Sequence, residues 1–373
     1  MKKLLCVLLV LALTLGMGSA ALAETIKVGG IAPLTGPVAV YGLLVQAGVD
    51  LYVEELNAAG GVLGNEVQMV WMDDTHDAVE AVNAYNQLVS EGISLLIGPV
   101  TTTPTLAVAA RAAEDRMPMI TASATAYAVT DPGDNIFRAC FLDPFQAEAM
   151  AQYAFDSLGA KKVAVLYDNT NDYSIGLYES FVSKAESLGL EVVAAESAVE
   201  GDADYSPQLI KIADAEPDAV YLCYYYETAA LVLRQSVDVG LEATIMGADG
   251  WAGIQDQVAD DVSLLDNAIY TDSFSPDDDS PEAKAFVTAF EAKYGSTPAN
   301  FNALGYDAAK IMFSAVEKAG SLDKEAVIAA LKATSLDCVT GHITFNDHND
   351  PIKAAYVMGF EAGVPTFITR VEP

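Results

Sequence analysis

Three threonines follow a short apolar segment near residue 100, and together they form a candidate anion-binding loop. Residues 93–97 predict a buried strand, and the alanine-rich residues 106–113 predict a helix. Thr102 or Thr103 would cap this helix, and Pro104 suits its first turn. Free N–H groups, hydroxyls and the positive end of a helix dipole would then meet at the carboxyl end of a strand. This arrangement suits one carboxylate of a small ligand, although an ordinary capped helix is the alternative.

Small hydroxyl side chains, aromatic rings and one carboxylate follow other predicted strands. Ser123 and Thr125 come directly after the segment 117–121. Asp249 follows the segment 244–247 and precedes a glycine. The aromatic candidates for an apolar wall are Tyr41, Tyr173, Tyr225, Trp251 and Phe301. Because ligands bind at the carboxyl ends of strands in open parallel sheets, we expect these residues to meet in one cleft.

This set of side chains fits a zwitterion. The donors of Thr102, Ser123 and Thr125 suit a carboxylate, and the aromatic rings suit an apolar side chain. Asp249 suits an ammonium group, unless it is a solvated loop acid and the tyrosines only pack at strand ends. The strand ends carry no evident catalytic histidine or cysteine, phosphate-binding lysine or cluster of metal ligands. We therefore predict no cofactor, no metal and no enzymatic activity.

The intervening segments alternate between strand and helix patterns. Apolar residues at helical spacing, such as Val45, Val49 and Leu56, predict helices between short apolar runs. The predicted strands are 26–31, 67–71, 93–97, 117–121, 162–167, 191–195, 219–223, 244–247, 342–345, 354–360 and 366–371. This alternation predicts an α/β protein of two doubly wound Rossmann-like lobes, with a single β/α barrel as the lesser alternative.

Length and charge narrow the class of protein further. The chain has 373 residues, which is too long for one typical core. Its formal charge of −33 argues against nucleic acid or anionic lipid as a partner. Cys140, Cys223 and Cys338 are too widely spaced for a disulfide framework, and Cys223 lies in an apolar strand. Whether Cys140 pairs with Cys338 stays open.

The first residues have the features of a secretory signal. Lys2 and Lys3 precede an apolar run, and Ala21-Leu22-Ala23 forms an exit site. The run is shorter than the ~20 residues that span a bilayer. We predict a signal peptide over residues 1–23 and an exported product in the periplasm or extracytoplasmic space. No lipid-anchor signal is seen, because Cys6 lies far from the cleavage point.

The whole chain after residue 23 resembles the branched-chain amino-acid-binding proteins of ABC importers, which are type I periplasmic binding proteins. The motifs that carry the resemblance are PLTGPVAVYG (33–42), NAAGGVLGN (57–65), DDTHD (73–77), IGPVTTT (97–103), SATA (123–126), LRQ (233–235) and MGADG (246–250). The resemblance implies two lobes joined by three crossovers, with the ligand between them. The implied lobes are residues 24–142 plus 274–339 and residues 143–273 plus 340–373.

The resemblance also implies roles for individual residues. Thr102, Ser123 and Thr125 match positions that bind the ligand carboxylate, with Thr125 also near the ammonium group. Asp249 matches an acidic position on the ammonium group. The pocket-wall positions are matched by Tyr41, Tyr173, Tyr225 and Phe301. A disulfide of some relatives would join the positions of His76 and Thr101, so it cannot form here and we expect a less rigid anion loop.

We therefore predict a monomeric, exported protein that captures a small neutral amino acid and delivers it to the membrane subunits of an ABC importer. One alternative keeps the fold but binds an amide, urea or an aromatic acid. Such a ligand would leave the Asp249 carboxylate without a positive partner. The other alternative is an exported α/β enzyme that acts on a small carboxylate. The sequence does not say which amino acid binds.

Overall fold

A computed structural model describes residues 25–373. The predicted signal peptide of residues 1–23 lies outside the described residues. The first sheet has five parallel strands in the order β2-β1-β3-β4-β5. These strands are β1 (Ile26–Ala32), β2 (Val67–Asp73), β3 (Leu95–Ile97), β4 (Met119–Thr121) and β5 (Ile136–Arg138). This order places a topological switch point beside β1, where ligands bind in doubly wound sheets.

The second sheet has seven strands in the order β14-β13-β10-β9-β8-β6-β7. Strands β6 to β10 are parallel and repeat the order of the first sheet, whereas β13 and β14 are antiparallel additions. The strands are β6 (Lys162–Tyr167), β7 (Glu191–Ser197), β8 (Ala219–Cys223), β9 (Thr244–Gly247), β10 (Ala268–Asp272), β13 (Ala355–Glu361) and β14 (Val364–Val371). A separate hairpin pairs β11 (Ser335–Cys338) with β12 (Gly341–Thr344). The predicted fold class is confirmed, and the single barrel is excluded.

Helices connect the parallel strands. Those of the first half are α1 (Ala39–Ala58), α2 (Ala78–Ser90), α3 (Thr102–Glu114), α4 (Asp143–Asp156), α5 (Asp172–Leu188) and α6 (Ser206–Asp214). Those of the second half are α7 (Tyr226–Asp238), α8 (Ile254–Gln257), α9 (Pro281–Tyr294), α10 (Asn300–Ala319) and α11 (Lys324–Lys332). Helix coverage explains why strands such as β3 and β8 are apolar and buried at every position.

Helices α9 to α11 return to the first sheet although they follow the second. Helix α10 packs on α1 so closely that a Cβ on Gly48 would lie 2.0 Å from the Asn302 carbonyl oxygen. The Asn302 side chain donates a 2.8 Å hydrogen bond to the carbonyl of Leu44. Consequently the chain passes between the two sheets three times, through residues 139–142, 273–280 and 345–354.

Buried ionic groups join the first and third crossings. The Arg138 guanidinium contacts Asp350 at 2.8 Å, and their side chains are 0% and 2% exposed. Thr130 donates to the same carboxylate at 3.1 Å, and Lys353 donates to the Ala139 carbonyl at 2.7 Å. These buried charges are paired or hydrogen-bonded, as burial requires.

The three cysteines of the described part of the chain, Cys140, Cys223 and Cys338, are free and buried. The open question of a Cys140–Cys338 disulfide is therefore settled against it. Cys223 lies in the core as predicted. Within residues 25–373, the helices all fall short of the length and apolar character needed to cross a bilayer.

Several boundaries differ from the sequence predictions. Strand β3 begins at Leu95, and α3 begins at Thr102, so neither Thr102 nor Thr103 is the cap. Thr101 occupies the cap position, and its hydroxyl makes no capping bond. Helix α4 and the short strands β5 and β10 were not predicted.

Candidate functional site

One narrow cavity of ≈ 10 Å³ lies where the carboxyl ends of strands from both sheets meet. Eight of the nine predicted site residues line it: Tyr41, Thr102, Ser123, Thr125, Tyr173, Tyr225, Asp249 and Phe301. Val100, Thr101 and Gly250 complete the lining. This volume is far below the ~300–1,000 Å³ of drug-sized sites, so the lining residues must move apart to admit a ligand.

The first sheet supplies hydrogen-bond donors to this cavity. Helix α3 begins at Thr102, so its first N–H groups have no partner within the helix. They lie at the positive end of the helix dipole, which favours an anion. The loops after β3 and β4 hold each other in place, because Ser123 donates to the Val100 carbonyl at 2.8 Å and Thr121 donates to the Pro99 carbonyl at 2.6 Å.

The threonine loop is also tied to the loop after β2. His76 Nδ1 lies 2.8 Å from the Thr101 hydroxyl, and its ring packs edge-on against Tyr225. Burial lowers the pKa of His76, so the imidazole is neutral at neutral pH. A hydrogen bond thus joins the two positions where the resemblance places a disulfide in some relatives.

The second sheet supplies the carboxylate of Asp249. This side chain is 3% exposed. Its Oδ1 accepts hydrogen bonds from Gln146 Nε2 and from the Tyr173 hydroxyl, both at 2.9 Å. Burial raises the pKa of Asp249 to about 6, although these hydrogen bonds oppose the shift. Within residues 25–373, Asp249 is the only cavity-lining residue with a charged side chain.

A buried polar network lies behind Asp249. The Gln146 amide donates to Asp143 at 2.9 Å as well as to Asp249, and its oxygen accepts from the Asp249 N–H at 3.1 Å and the Thr271 hydroxyl at 2.8 Å. Burial, together with the nearby charge of Asp249, raises the pKa of Asp143 to about 8. At neutral pH Asp143 is therefore protonated, and the network presents one negative charge to the cavity. The Asp143 N–H also bonds to the Thr125 carbonyl at 3.0 Å, which links this network to the donor loops.

Aromatic rings form the remaining wall. Tyr41 packs against Phe301 at 4.7 Å between ring centroids and against Tyr225 at 5.5 Å. Tyr173 stacks on Tyr225 at 4.8 Å. Burial raises the pKa of these tyrosines well above the usual value, so their hydroxyls stay protonated. The wall is therefore uncharged and suits an apolar side chain.

The Tyr41 hydroxyl joins the two halves of the site. It donates to the Gly250 carbonyl and accepts the Tyr226 N–H at 3.1 Å. Tyr226 in turn donates to the Pro37 carbonyl at 2.7 Å. These contacts hold the elements of the first sheet against those of the second around the cavity.

Trp251 is the predicted residue that does not line the cavity. Its side chain is fully buried and stacks with Tyr270 at 6.4 Å between ring centroids. A Cβ on Gly247 would lie 2.1 Å from its indole, so the glycine leaves room for the ring. Trp251 therefore belongs to the packing that supports the Asp249 loop.

Gln146, Asp143 and His76 are polar residues of the site that the sequence analysis did not select. Asp143 and Pro144 occupy the first turn of α4, and that pair is a helix-start signal that could have located the helix. Nothing in the local sequence shows that Gln146 reaches Asp249, because that contact joins residues about a hundred positions apart. His76 stands in the DDTHD motif, whose role became clear only from the fold.

The fold and this cavity define a class of two-sheet ligand-binding proteins, and comparison with known families agrees. The chain belongs to the periplasmic binding protein family, whose model matches residues 25–364. The resemblance seen in the sequence is thereby confirmed.

Several individual proteins are similar to this chain over nearly its whole length. The chain is 33% identical to Leu/Ile/Val-binding protein homolog 3 of Brucella melitensis, over 91% of this chain and 92% of that protein. It is similar to the leucine-binding protein LivK of Thermotoga maritima, with a TM-score of 0.89, 34% identity and coverage of 93% and 99% of the two chains. LivJ of Streptococcus pneumoniae, solved with isoleucine, gives a TM-score of 0.87 and 31% identity, with coverage of 94% and 100%.

Proposed function

We propose that this protein is an extracytoplasmic solute-binding protein that captures a neutral amino acid, of the size of leucine, isoleucine or valine, and delivers it to an ABC importer. The observation that carries the proposal is the opposition of two sets of groups across one closed cavity. Uncharged donors of the first sheet face the single buried carboxylate of Asp249. An α-amino acid has the matching pair of charges on one carbon atom.

Each end of the ligand has a partner in this assignment. The N–H groups at the start of α3, with the hydroxyls of Thr102 and Thr125 and the main-chain N–H of Ser123, bind the carboxylate. Asp249 binds the ammonium group. Tyr41, Tyr173, Tyr225 and Phe301 surround the aliphatic side chain. The names of LivK, LivJ and the Brucella protein support an aliphatic amino acid as the ligand.

The mechanism we propose is closure of two lobes around the ligand. The sequence-based lobes were residues 24–142 plus 274–339 and residues 143–273 plus 340–373. We move the last boundary to 344/345, because the β11–β12 hairpin spans residues 335–344 and precedes the third crossing. Because the donors and Asp249 lie on different lobes, a ligand contacts both sets fully only in the closed form and therefore stabilises that form. The polar contact between Thr103 and Asp172, at 3.3 Å, would also exist only in the closed form.

The family implies an extracytoplasmic location and a transport role. We propose that residues 1–23 direct export, that the protein acts as a monomer, and that the importer membrane subunits are its protein partners. An enzymatic role on a small carboxylate is the weaker alternative, because the cavity-lining residues within 25–373 include no cysteine, histidine or lysine. An amide, urea or aromatic acid would leave the buried Asp249 carboxylate without a positive partner, which is costly.

Three ligands that differ in one group each provide the test. Isothermal titration calorimetry would compare leucine with 4-methylpentanoate, which lacks the amine, and with 3-methylbutylamine, which lacks the carboxylate. We expect leucine to bind at least a hundredfold more tightly than 4-methylpentanoate, because only leucine pairs with Asp249. Equal affinity for 4-methylpentanoate and leucine would indicate an acid-binding protein. An absence of binding for leucine, isoleucine and valine would refute the proposal.

A further inference from the structure

A second cavity lies on the other side of the loop that carries Asp249. Its volume is ≈ 270 Å³, just below the ~300–1,000 Å³ of drug-sized sites, so it suits a small molecule. Ala252 and Gly253 line this cavity, whereas Asp249 and Gly250 line the amino-acid cavity. Residues 249–253 therefore form a partition between two separate cavities.

The start of α10 forms another part of the same partition. Asn300 lines the second cavity, and its neighbour Phe301 lines the first. The remaining walls come from β10, from the crossing at residues 273–280 and from the β13–β14 hairpin. The second cavity thus lies beside a crossing between the two sheets, where an occupant would contact elements of both.

One buried carboxylate stands out in the second cavity. Asp272 ends β10, lines the cavity and is 5% exposed. Its Oδ1 accepts the N–H groups of Ser273 at 2.6 Å and Phe274 at 3.4 Å, and the Asn300 side chain lies beside it. Burial is the main reason that the pKa of Asp272 is raised to about 8, and the nearby Asp249 adds to the shift. The free carboxyl is therefore protonated at neutral pH, and binding of an ammonium group would release that proton to solvent. A cation seated against this group would offset the cost of its burial.

The other lining residues of the second cavity indicate which chemical groups a ligand can have besides its ammonium group. Its apolar surface includes Phe274, Pro298, Met358 and Val364. The lining residues, all within the described chain, include no lysine, arginine or histidine. A carboxylate or phosphate group would therefore find no positive side chain here and would meet Asp272 instead.

We propose that this second cavity is a binding site for a small primary amine that has an apolar body and no acid group. The ammonium group binds Asp272, and the apolar body lies against Phe274, Pro298 and Met358. This site is distinct from the amino-acid cavity, which offers donors for a carboxylate as well as Asp249. The decarboxylated form of an aliphatic amino acid has the required chemistry.

The test uses 3-methylbutylamine and the full-length mature protein saturated with leucine, so that the first cavity is filled. We expect calorimetry to show one saturable amine site per chain. The alcohol of the same shape, 3-methylbutanol, should bind at least tenfold more weakly, because it cannot pair with Asp272. Asp272→Asn should raise the dissociation constant of the amine at least tenfold and leave leucine binding within twofold.

Two further variants distinguish binding in the second cavity from binding in the first. One of them also tests the second cavity without altering its buried carboxylate. Val364 is 62% exposed at the rim of the second cavity, so Val364→Trp should block the amine by volume while the buried carboxylate stays in place. Asp249→Asn should not weaken amine binding, because it removes a negative charge that opposes ionisation of Asp272. Circular dichroism and leucine binding would verify the fold of the Asp272 and Val364 variants.

The outcomes are distinguishable from those of the proposed function. No amine binding to leucine-saturated protein, or equal binding by the Val364→Trp variant, would overturn the second site. Amine binding that leucine displaces and Asp249→Asn abolishes would place the amine in the first cavity and also overturn it. If the wild-type protein bound no amino acid, the proposed function would fail, but amine titration of the wild-type and Val364→Trp proteins would still decide the second site.

Discussion

Asp249 is held in a state that is unfavourable without a ligand. Its carboxylate is buried, and its pKa is raised to about 6 from a usual value of 3.8. A raised pKa in the folded chain means that ionisation above pH 6 costs stability, and that this cost is absent below about pH 4, where both states are protonated. The ammonium group of a ligand would remove the cost, so part of the binding energy comes from relief of an unfavourable burial.

The substitution Asp249→Asn tests this account directly. The amide keeps an acceptor for Gln146 and Tyr173 but removes the charge. We expect leucine binding to weaken by about 2–5 kcal/mol, as when one member of a buried charge pair is truncated. At pH 7.5 the ligand-free variant should be more stable to urea than the wild type, by up to about 3 kcal/mol. Unchanged leucine affinity would remove Asp249 from the site.

The pH dependence of binding provides a second test at this scale. Protons and the ligand's ammonium group compete for the Asp249 carboxylate, whose pKa in the free protein is about 6. Leucine affinity should therefore fall as the pH is lowered from 7 to 4.5, approaching a tenfold loss per pH unit below pH 6. Calorimetry at several pH values would measure this slope. A dissociation constant that stays flat to pH 4.5 would contradict the assignment.

Helix α4 acts on the site at the scale of secondary structure. It follows the first crossing and carries Gln146, which bonds to Asp143, Asp249 and Thr271 but does not line the cavity. Its function in our proposal is to position the carboxylate that the ligand meets. Because the Gln146 amide is fully buried, each bond it makes is protected from competing water.

Replacement of Gln146 by Met, which has a similar length but no amide, would leave Asp143 Oδ1 without this donor and the Asp249 N–H and Thr271 hydroxyl without this acceptor. We expect leucine to bind roughly 5- to 150-fold more weakly, corresponding to the ~1–3 kcal/mol cost of an unsatisfied buried group. Gln152 lies on the same helix and bonds only to the exposed Asp156, so Gln152→Met is the matched control. Equal affinities of the two variants in calorimetry would show that Gln146 does not position Asp249.

The site residues that could be predicted from sequence are those that directly follow a strand. Continuous apolar runs located β6 and β8, and the hydroxyl or acidic residues just after such runs identified Ser123 and Asp249. The choice of cap among three threonines could not be made, because Thr101, Thr102 and Thr103 have the same local chemistry. Helix α4 was missed because it buries Ala149, Met150 and Ala151 in succession and so lacks a clear polar face.

At the scale of the molecule, two sheets with the same strand order form one cavity from residues far apart in the chain. The repeated alternation of strands and helices was sufficient to predict the two sheets. The short strands β5 and β10 escaped prediction because each has few residues and a charged end, Arg138 or Asp272. Each of these strands directly precedes a crossing to the other sheet, and this position is visible only in the three-dimensional structure.

The buried pair of Arg138 and Asp350 should support this arrangement. Arg138→Met would leave the Asp350 carboxylate buried without its cation, which typically costs ~3–5 kcal/mol of unfolding free energy. Urea unfolding followed by circular dichroism would measure the loss. Arg111 pairs with Glu114 at the surface, where the side chains are 57% and 70% exposed, so Arg111→Met should cost under ~1 kcal/mol. Similar losses for both variants would show that the buried pair has no special role.

The three crossings between the sheets also affect how the protein withstands proteolysis. An endoprotease that cuts the chain once within residues 273–280 would leave two intact covalent links, and the Arg138–Asp350 pair would still hold those links together. The nicked product should therefore run as two fragments under denaturing conditions yet remain one particle in native buffer. A single cut in one crossing would therefore not separate the two sheets or release a bound ligand, because the other two crossings remain intact.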